Sequence, residues 1–321
     1  MIVQKVSFLQ KMWVVAAIAF LCSALWGSAF AGVKIGYQQL KIASDDWASQ
    51  MIFAGIRFTI AGGMAWAAGS FFSKKLLLPT RKNVPKIGTL SLFQTILQYF
   101  FYYIGLAHTT GVKASIIVAS NVFIAILLST LVYRLEKLQF EKWIGCIIGF
   151  SGIILCNLNG LQGGIQFSFI GDGFIFLCTI ASGFSSVLMK KYGAKENPVL
   201  LSSWQFLFGG LILWGIGVLF GGKMGTISIF SMIIILYLSF VSAAAYSLWA
   251  MLLKYNPVSK VTVFGFLNPI CGVVISAIVL KEYDTISILN FIALLMVCIG
   301  IYLVNRQKKS VFKNKKKEYS K

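Results

Sequence analysis

Ten long apolar runs divide the 321-residue chain, at about 13–33, 49–72, 87–106, 112–133, 143–159, 168–189, 199–220, 227–251, 260–280 and 287–304. A helix needs about 20 residues to cross a bilayer, so these runs decide the solvent before anything else. Composition agrees: 58% of residues are hydrophobic and 12% charged, against about 25% charged in soluble domains. So few charges could not cover the apolar surface of a soluble protein of this length. That excludes a soluble enzyme, a DNA-binding module and a disordered scaffold. Backbone groups in lipid must be satisfied internally, and the runs are continuous rather than alternating, so helices are expected and a barrel is not.

The net charge of +20 would point to nucleic acid in a soluble chain. Here it reports topology. With ten spans and both termini inside, the inner segments hold 23 of the 29 basic residues and the outer segments 5, with Arg57 inside a span. Nine or eleven spans would place the two basic termini on opposite faces. The expectation is a multi-pass cell-membrane protein with a short cytoplasmic N-terminus (1–12) and a basic cytoplasmic tail (305–321). The tail is read as an anchor on anionic inner-leaflet lipid, with specific partner binding as the alternative. The first run resembles a signal peptide, but it is too long and lacks a small-residue cleavage site, so its retention is expected.

The chain also repeats itself. Leu25-Trp26-Gly27-Ser28 leads to Lys34, and Ala181-Ser182-Gly183-Phe184 leads to Lys190 at the same spacing. Arg57-Phe58 with Ala61-Gly62 resembles Gln205-Phe206 with Gly209-Gly210, and Tyr133-Arg134-Leu135-Glu136 matches Val279-Leu280-Lys281-Glu282. Five spans per copy is an odd number, so the second copy must be upside down. The fold expected is an all-α integral membrane protein of ten transmembrane helices in two inverted five-helix repeats, 13–160 and 161–304. Such a repeat sets a binding site near the midplane and lets either side open by rocking.

These pieces, with Ile104-Gly105-Leu106 and Asn268-Pro269 through Glu282, resemble the EamA-like branch of the drug/metabolite transporter superfamily over about 13–304. The resemblance implies ten helices, a carrier, and amino acids or related metabolites as the commonest substrates, often moved outward. Two positions depart from the family: Phe123 stands where the fourth span usually has proline, and Ser182 where a tryptophan is common in the sixth.

The acidic residues fall in loops, tails or span ends, and the only histidine, His108, ends the third span. Proton exchange usually needs an intramembrane group that changes protonation, so coupling to protons is not expected unless Asp172 reaches inward. Arg57 admits two readings: a snorkelling or carbonyl-capping arginine, or a cation that meets a substrate carboxylate. Lys34 is either an interfacial anchor or a cavity cation. A substrate cavity is expected among Trp26, Gln98, Tyr102, Asn121, Tyr246, Trp249 and Asn268. Gln94 and Gln98 share the Tyr102 face, and Ser239 and Ser242 share the Tyr246 face. Interhelical hydrogen bonding is the alternative for each polar group. Pro269 is the expected hinge, since it removes a backbone hydrogen bond. Glu136 and Glu282 are possible gates, pairing with Lys137 or Lys281.

Gly145, Gly149 and Gly152 permit close helix approach, through packing between the halves or dimerisation, so monomer and homodimer stay open. The six cysteines have no metal-ligand spacing and read as apolar fillers. No phosphate loop, zinc motif or nucleotide fingerprint occurs, so no cofactor, metal or nucleic-acid partner is expected. The function expected is a carrier for a small neutral or zwitterionic metabolite. A multidrug or nucleotide-sugar transporter is the alternative within the class, and a membrane-embedded enzyme on lipid-linked substrates the alternative outside it.

Overall fold

The computed structural model describes residues 8–134, 139–158, 167–256, 261–285 and 287–305. Among these residues every regular element is helical. Ten apolar elements follow one another: α1 (Met12–Gln39), α2 (Trp47–Ser73), α3 (Val84–Ala107), α4 (Gly111–Val132), α5 (Phe140–Leu155), α6 (Phe169–Gly193), α7 (Pro198–Leu219), α8 (Ile229–Tyr255), α9 (Phe264–Val279) and α10 (Ile288–Asn305). Eight of them are long and apolar enough to cross a membrane; α9 is shorter. At 16 residues, α5 extends only about 24 Å.

Ends are set by local chemistry. Asp46, Thr110, Asn197 and Ser228 accept backbone N–H groups at the starts of α2, α4, α7 and α8, satisfying donors that a helix start leaves unpaired. The chain has two faces. At the near face the loop before α1 meets the end of α8, where Asn256 Nδ2 donates to Leu9 O at 2.9 Å. There also the α2–α3 loop meets α7, where Trp204 Nε1 donates to Leu77 O at 2.8 Å. At the far face the α7–α8 loop meets α2, with Lys223 N donating to Ser49 Oγ at 2.7 Å.

Helix contacts come in exchanged pairs. The most extensive are α2 on α7 and α5 on α10. Beyond these, α1 packs on α9 as α6 packs on α4, and α1 packs on α8 as α6 packs on α3. The α2–α7 seam brings backbone to backbone: a Cβ on Gly55 would lie 2.3 Å from Trp214 N, and one on Gly62 2.6 Å from Leu207 N. The glycine run of α5 is consumed inside the chain. A Cβ on Gly145 would lie 2.9 Å from Gly300 O, and one on Gly152 2.8 Å from Ala293 O, both on α10.

Two spans are broken within their length. At the start of α9 the tight turn Val263–Phe266 precedes the α-helical Leu267–Val279; Pro269, four residues after Gly265 in that turn, has no N–H to bond Gly265 O. In α4 the break comes at Ala119–Ser120, between Gly111–Val118 and Asn121–Leu127, with no proline. There Ile117 O accepts from Ser120 N at 3.0 Å and also from Ser120 Oγ at 2.7 Å, a tighter turn whose serine bonds back to its own helix. The departure at Phe123 therefore leaves both spans interrupted.

Candidate functional site

Arg57 lies eleven residues into α2 and is 2% exposed. Its Nε donates to Leu238 O (3.1 Å), Nη1 to Tyr103 Oη (2.8 Å) and Nη2 to Ser242 Oγ (2.9 Å). The guanidinium also lies over the Phe58 ring, 4.6 Å from its centroid. An arginine at mid-helix costs roughly 2.5–3.5 kcal/mol on insertion scales, and each hydrogen bond from a charged group returns about 1.5–3 kcal/mol, so three outweigh the cost. All three acceptors are neutral. Among the described residues no carboxylate pairs with Arg57, so it ties α2 to α3 and α8 and keeps its positive charge.

Gln205 stands 148 residues after Arg57, and the two sit in similar surroundings. Ser239 Oγ donates to Arg57 O, and Ser91 Oγ, again 148 residues apart from its counterpart, donates to Gln205 O. Arg57 bonds to Ser242 on α8; Gln205 Oε1 accepts from Thr95 on α3. The difference lies at the far end of the side chain: Gln205 Nε2 is buried with no hydrogen-bond partner. The sequence pairs the two segments, but nothing local to Gln205 marks its amide as one left without a partner.

From Arg57 an aromatic chain crosses the bundle. Phe58 meets Tyr99 (4.0 Å between centroids) and Phe206 (5.4 Å); Phe206 meets Tyr246 (5.1 Å); Tyr246 meets Trp26 (5.6 Å); and Trp26 meets Trp249 (5.5 Å). Tyr102 joins through Tyr99 and in turn meets Phe30. Four of the expected cavity residues, Trp26, Tyr102, Tyr246 and Trp249, thus share one network. Gln98 and Asn268 each leave a buried side-chain oxygen without a partner, as does Gln94, beside Tyr246. Gln94 lies in the π-helical stretch Ser91–Leu97 of α3, a distortion that frequently marks functional sites. Asn121 is not gathered into this network: its Nδ2 donates to Ser182 Oγ on α6 at 3.4 Å.

The two possible gates fare differently. Glu136 lies outside the described residues, as do Lys137 and the tail from Arg306. Glu282 does not pair with the adjacent Lys281. It pairs with Lys34 at 3.1 Å and accepts the N–H groups of Gly111 and Val112 at 3.0 Å each. Lys281 has a left-handed backbone, φ 55°, which reverses the chain so that Glu282 meets the start of α4 while Lys281 is not its partner. Lys34 is therefore an ion-pair partner at the far end of α1. Asp172, 1% exposed, pairs with Lys113 at 2.9 Å and accepts from Thr109 Oγ1 and Ser168 N. His108 places Nδ1 2.9 Å from Ile104 O at the end of α3. No group of three metal-ligating side chains occurs among the described residues.

The sequence profile of the EamA-like transporter family matches twice, at 12–158 and 169–306. An uncharacterized transporter of Archaeoglobus fulgidus is 23% identical over 93% of this chain and 100% of its own length. An uncharacterized transporter from Acidianus ambivalens is 32% identical over 68% of this chain and 80% of its own. One solved crystal structure superposes with a TM-score of 0.62 at 16% identity, covering 95% of this chain and 98% of its own, a likeness of fold. An all-helical apolar chain, matched in both its parts by one transporter profile, belongs to the EamA-like transporter family and is a multi-pass membrane transporter.

Proposed function

We propose that the chain carries a small neutral or zwitterionic organic solute, of the amino-acid class, outward across the cell membrane by alternating access. The near face is then cytoplasmic, with the basic tail on anionic inner-leaflet lipid, and the moving units are 13–160 and 161–304 as inverted repeats. The observation that carries this reading is the network around Arg57. It joins helices from both parts of the chain and combines an unneutralised cation, aromatic walls and unpartnered amides. A carboxylate suits the cation, rings suit an apolar side chain, and the amides suit an ammonium or hydroxyl group. Under this reading Arg57 contacts the carboxylate and Pro269 serves the hinge of α9.

Transport without proton exchange fits the same network, since Asp172 and Glu282 are both engaged in ion pairs at the far face. The exchanged helix contacts, and the paired surroundings of Arg57 and Gln205, support the inverted repeat. The glycine face of α5 is spent on α10, which favours transport within a single chain.

Purified protein in proteoliposomes, loaded with a panel of labelled amino acids, tests the proposal. Counterflow of at least one amino acid, unchanged when the pH gradient is collapsed, is expected. Counterflow only of nucleotide sugars or cationic drugs would move the protein to another substrate class. Strict dependence on the pH gradient would overturn the uncoupled mechanism, and conversion of substrate to a new compound would overturn the carrier.

A further inference from the structure

We propose that the first segment of α4, Gly111–Val118, is a hinged arm that closes the far face, and that Asp172 and Glu282 are the two jaws that hold it. Its closing role rests on the carrier reading; the clamp and the hinge stand on geometry alone. The segment ends at the turn Ala119–Ser120, where Ile117 O accepts from Ser120 N at 3.0 Å and from the Ser120 hydroxyl at 2.7 Å, and that hydroxyl lies 3.0 Å from Thr179 Oγ1 on α6. A helix can bend there without orphaning its backbone.

The other end of the arm is held from two directions. Glu282, between α9 and α10, accepts from Gly111 N and Val112 N and pairs with Lys34 of α1. Asp172, in the first turn of α6, pairs with Lys113 and accepts from Thr109. The arm also packs closely along α9, where a Cβ on Gly111 would lie 2.7 Å from Ser276 Oγ and Ser115 lies against Gly272.

The bonds are one-sided in character. Every donor except Ser168 N belongs to α1–α4 or their loops, and both acceptors belong to the part of the chain from α6 onward. A carboxylate at a helix N-terminus is favoured by the macrodipole, and here two of them share one end. The left-handed Lys281, a conformation costing about 1–2 kcal/mol for a residue with a Cβ, is what aims the second jaw.

Swinging the arm would uncover Ser115, which is now 2% exposed and so reports the clamp. The test places Ser115→Cys in the full chain, in proteoliposomes, and measures its labelling by a membrane-impermeant maleimide applied to both sides. Peptide mass spectrometry reads position 115 against the native buried Cys22 and Cys178 in the same sample. Combining Asp172→Asn with Glu282→Gln is expected to speed labelling at position 115 by tenfold or more and leave Cys22 and Cys178 unchanged. Glu196→Gln, which breaks the near-face pair with Lys86, is expected to change none of the three.

Unchanged labelling at 115 in the double variant, or equal acceleration at all three cysteines, overturns the arm. If the double variant is not recovered as folded protein, the exchanged pair Lys113→Asp with Asp172→Lys is read instead. Slow labelling in the exchanged pair against fast labelling in Asp172→Lys alone supports the clamp, and equal rates overturn it. No substrate enters the measurement, so a failure of counterflow and a failure of the clamp are distinguishable results.

Discussion

Phe58 and Phe206 stack with ring centroids 5.4 Å apart and planes 19° from parallel, although 148 residues separate them in the chain. Each follows the buried polar residue of its own segment, Arg57 in one and Gln205 in the other. Two side chains at matching places in the two parts of the chain thus touch each other where α2 meets α7.

Because both rings are fully buried, truncating one leaves a cavity at that junction. Phe206→Ala is expected to cost about 3–5 kcal/mol, and Phe206→Leu markedly less. Thermal unfolding followed by size-exclusion chromatography checks the order, and equal stability for the two variants would show that the junction repacks.

Arg57→Gln removes the charge and the fork geometry together, whereas Arg57→Lys keeps the charge but cannot reproduce three directed bonds. Loss of counterflow is expected in Arg57→Gln at near-normal yield of folded protein. Should transport survive while yield falls, the residue is a structural tie between α2, α3 and α8 and nothing more.

Gln205 offers the opposite test. Its unpartnered Nε2 is a liability to stability, since a buried polar group without a partner costs about 1–3 kcal/mol. Gln205→Leu combined with Thr95→Val, which removes the hydroxyl that Gln205 Oε1 now satisfies, is expected to hold or raise the melting temperature while lowering counterflow at least tenfold. A parallel fall in both would place Gln205 in the packing alone.

The α2–α7 seam discriminates between neighbouring glycines. A Cβ on Gly62 would meet Leu207 N at 2.6 Å and Ser203 O at 2.8 Å, whereas Gly63 has open space. Gly62→Ala is expected to abolish the monodisperse folded peak, and Gly63→Ala to leave it intact or slightly stabilised, since alanine is the better helix former by about 1 kcal/mol.

Much of this architecture is legible in the chain because membranes limit the choices. Apolar length locates the helices, and the glycine run of α5 announces a close neighbour, which proves to be α10. The aromatic residues Trp26, Tyr102, Tyr246 and Trp249 declare themselves as large groups with polar edges inside apolar spans. What escapes is pairing at long range. Glu282 finds Lys34, 248 residues away, because a left-handed residue turns it from its neighbour, and no local spacing encodes that turn. Asp172 and Lys113 read separately as span-end charges; only the packed bundle brings them to 2.9 Å. The break in α4 is hidden for another reason: no proline marks it, and the serine at the turn is an ordinary residue in a membrane helix.

The backbone-on-backbone contact between α2 and α7 also bears on how such a protein can diversify. Side chains that interdigitate across an interface must change together, so each new wall residue puts the whole joint at risk. At Gly55, Gly62, Gly210 and Gly217 the seam sets backbone against its neighbour, so at those points its fit does not depend on a matched pair of side chains. Substitutions elsewhere on α2 and α7 therefore need no compensating change at those four points of contact.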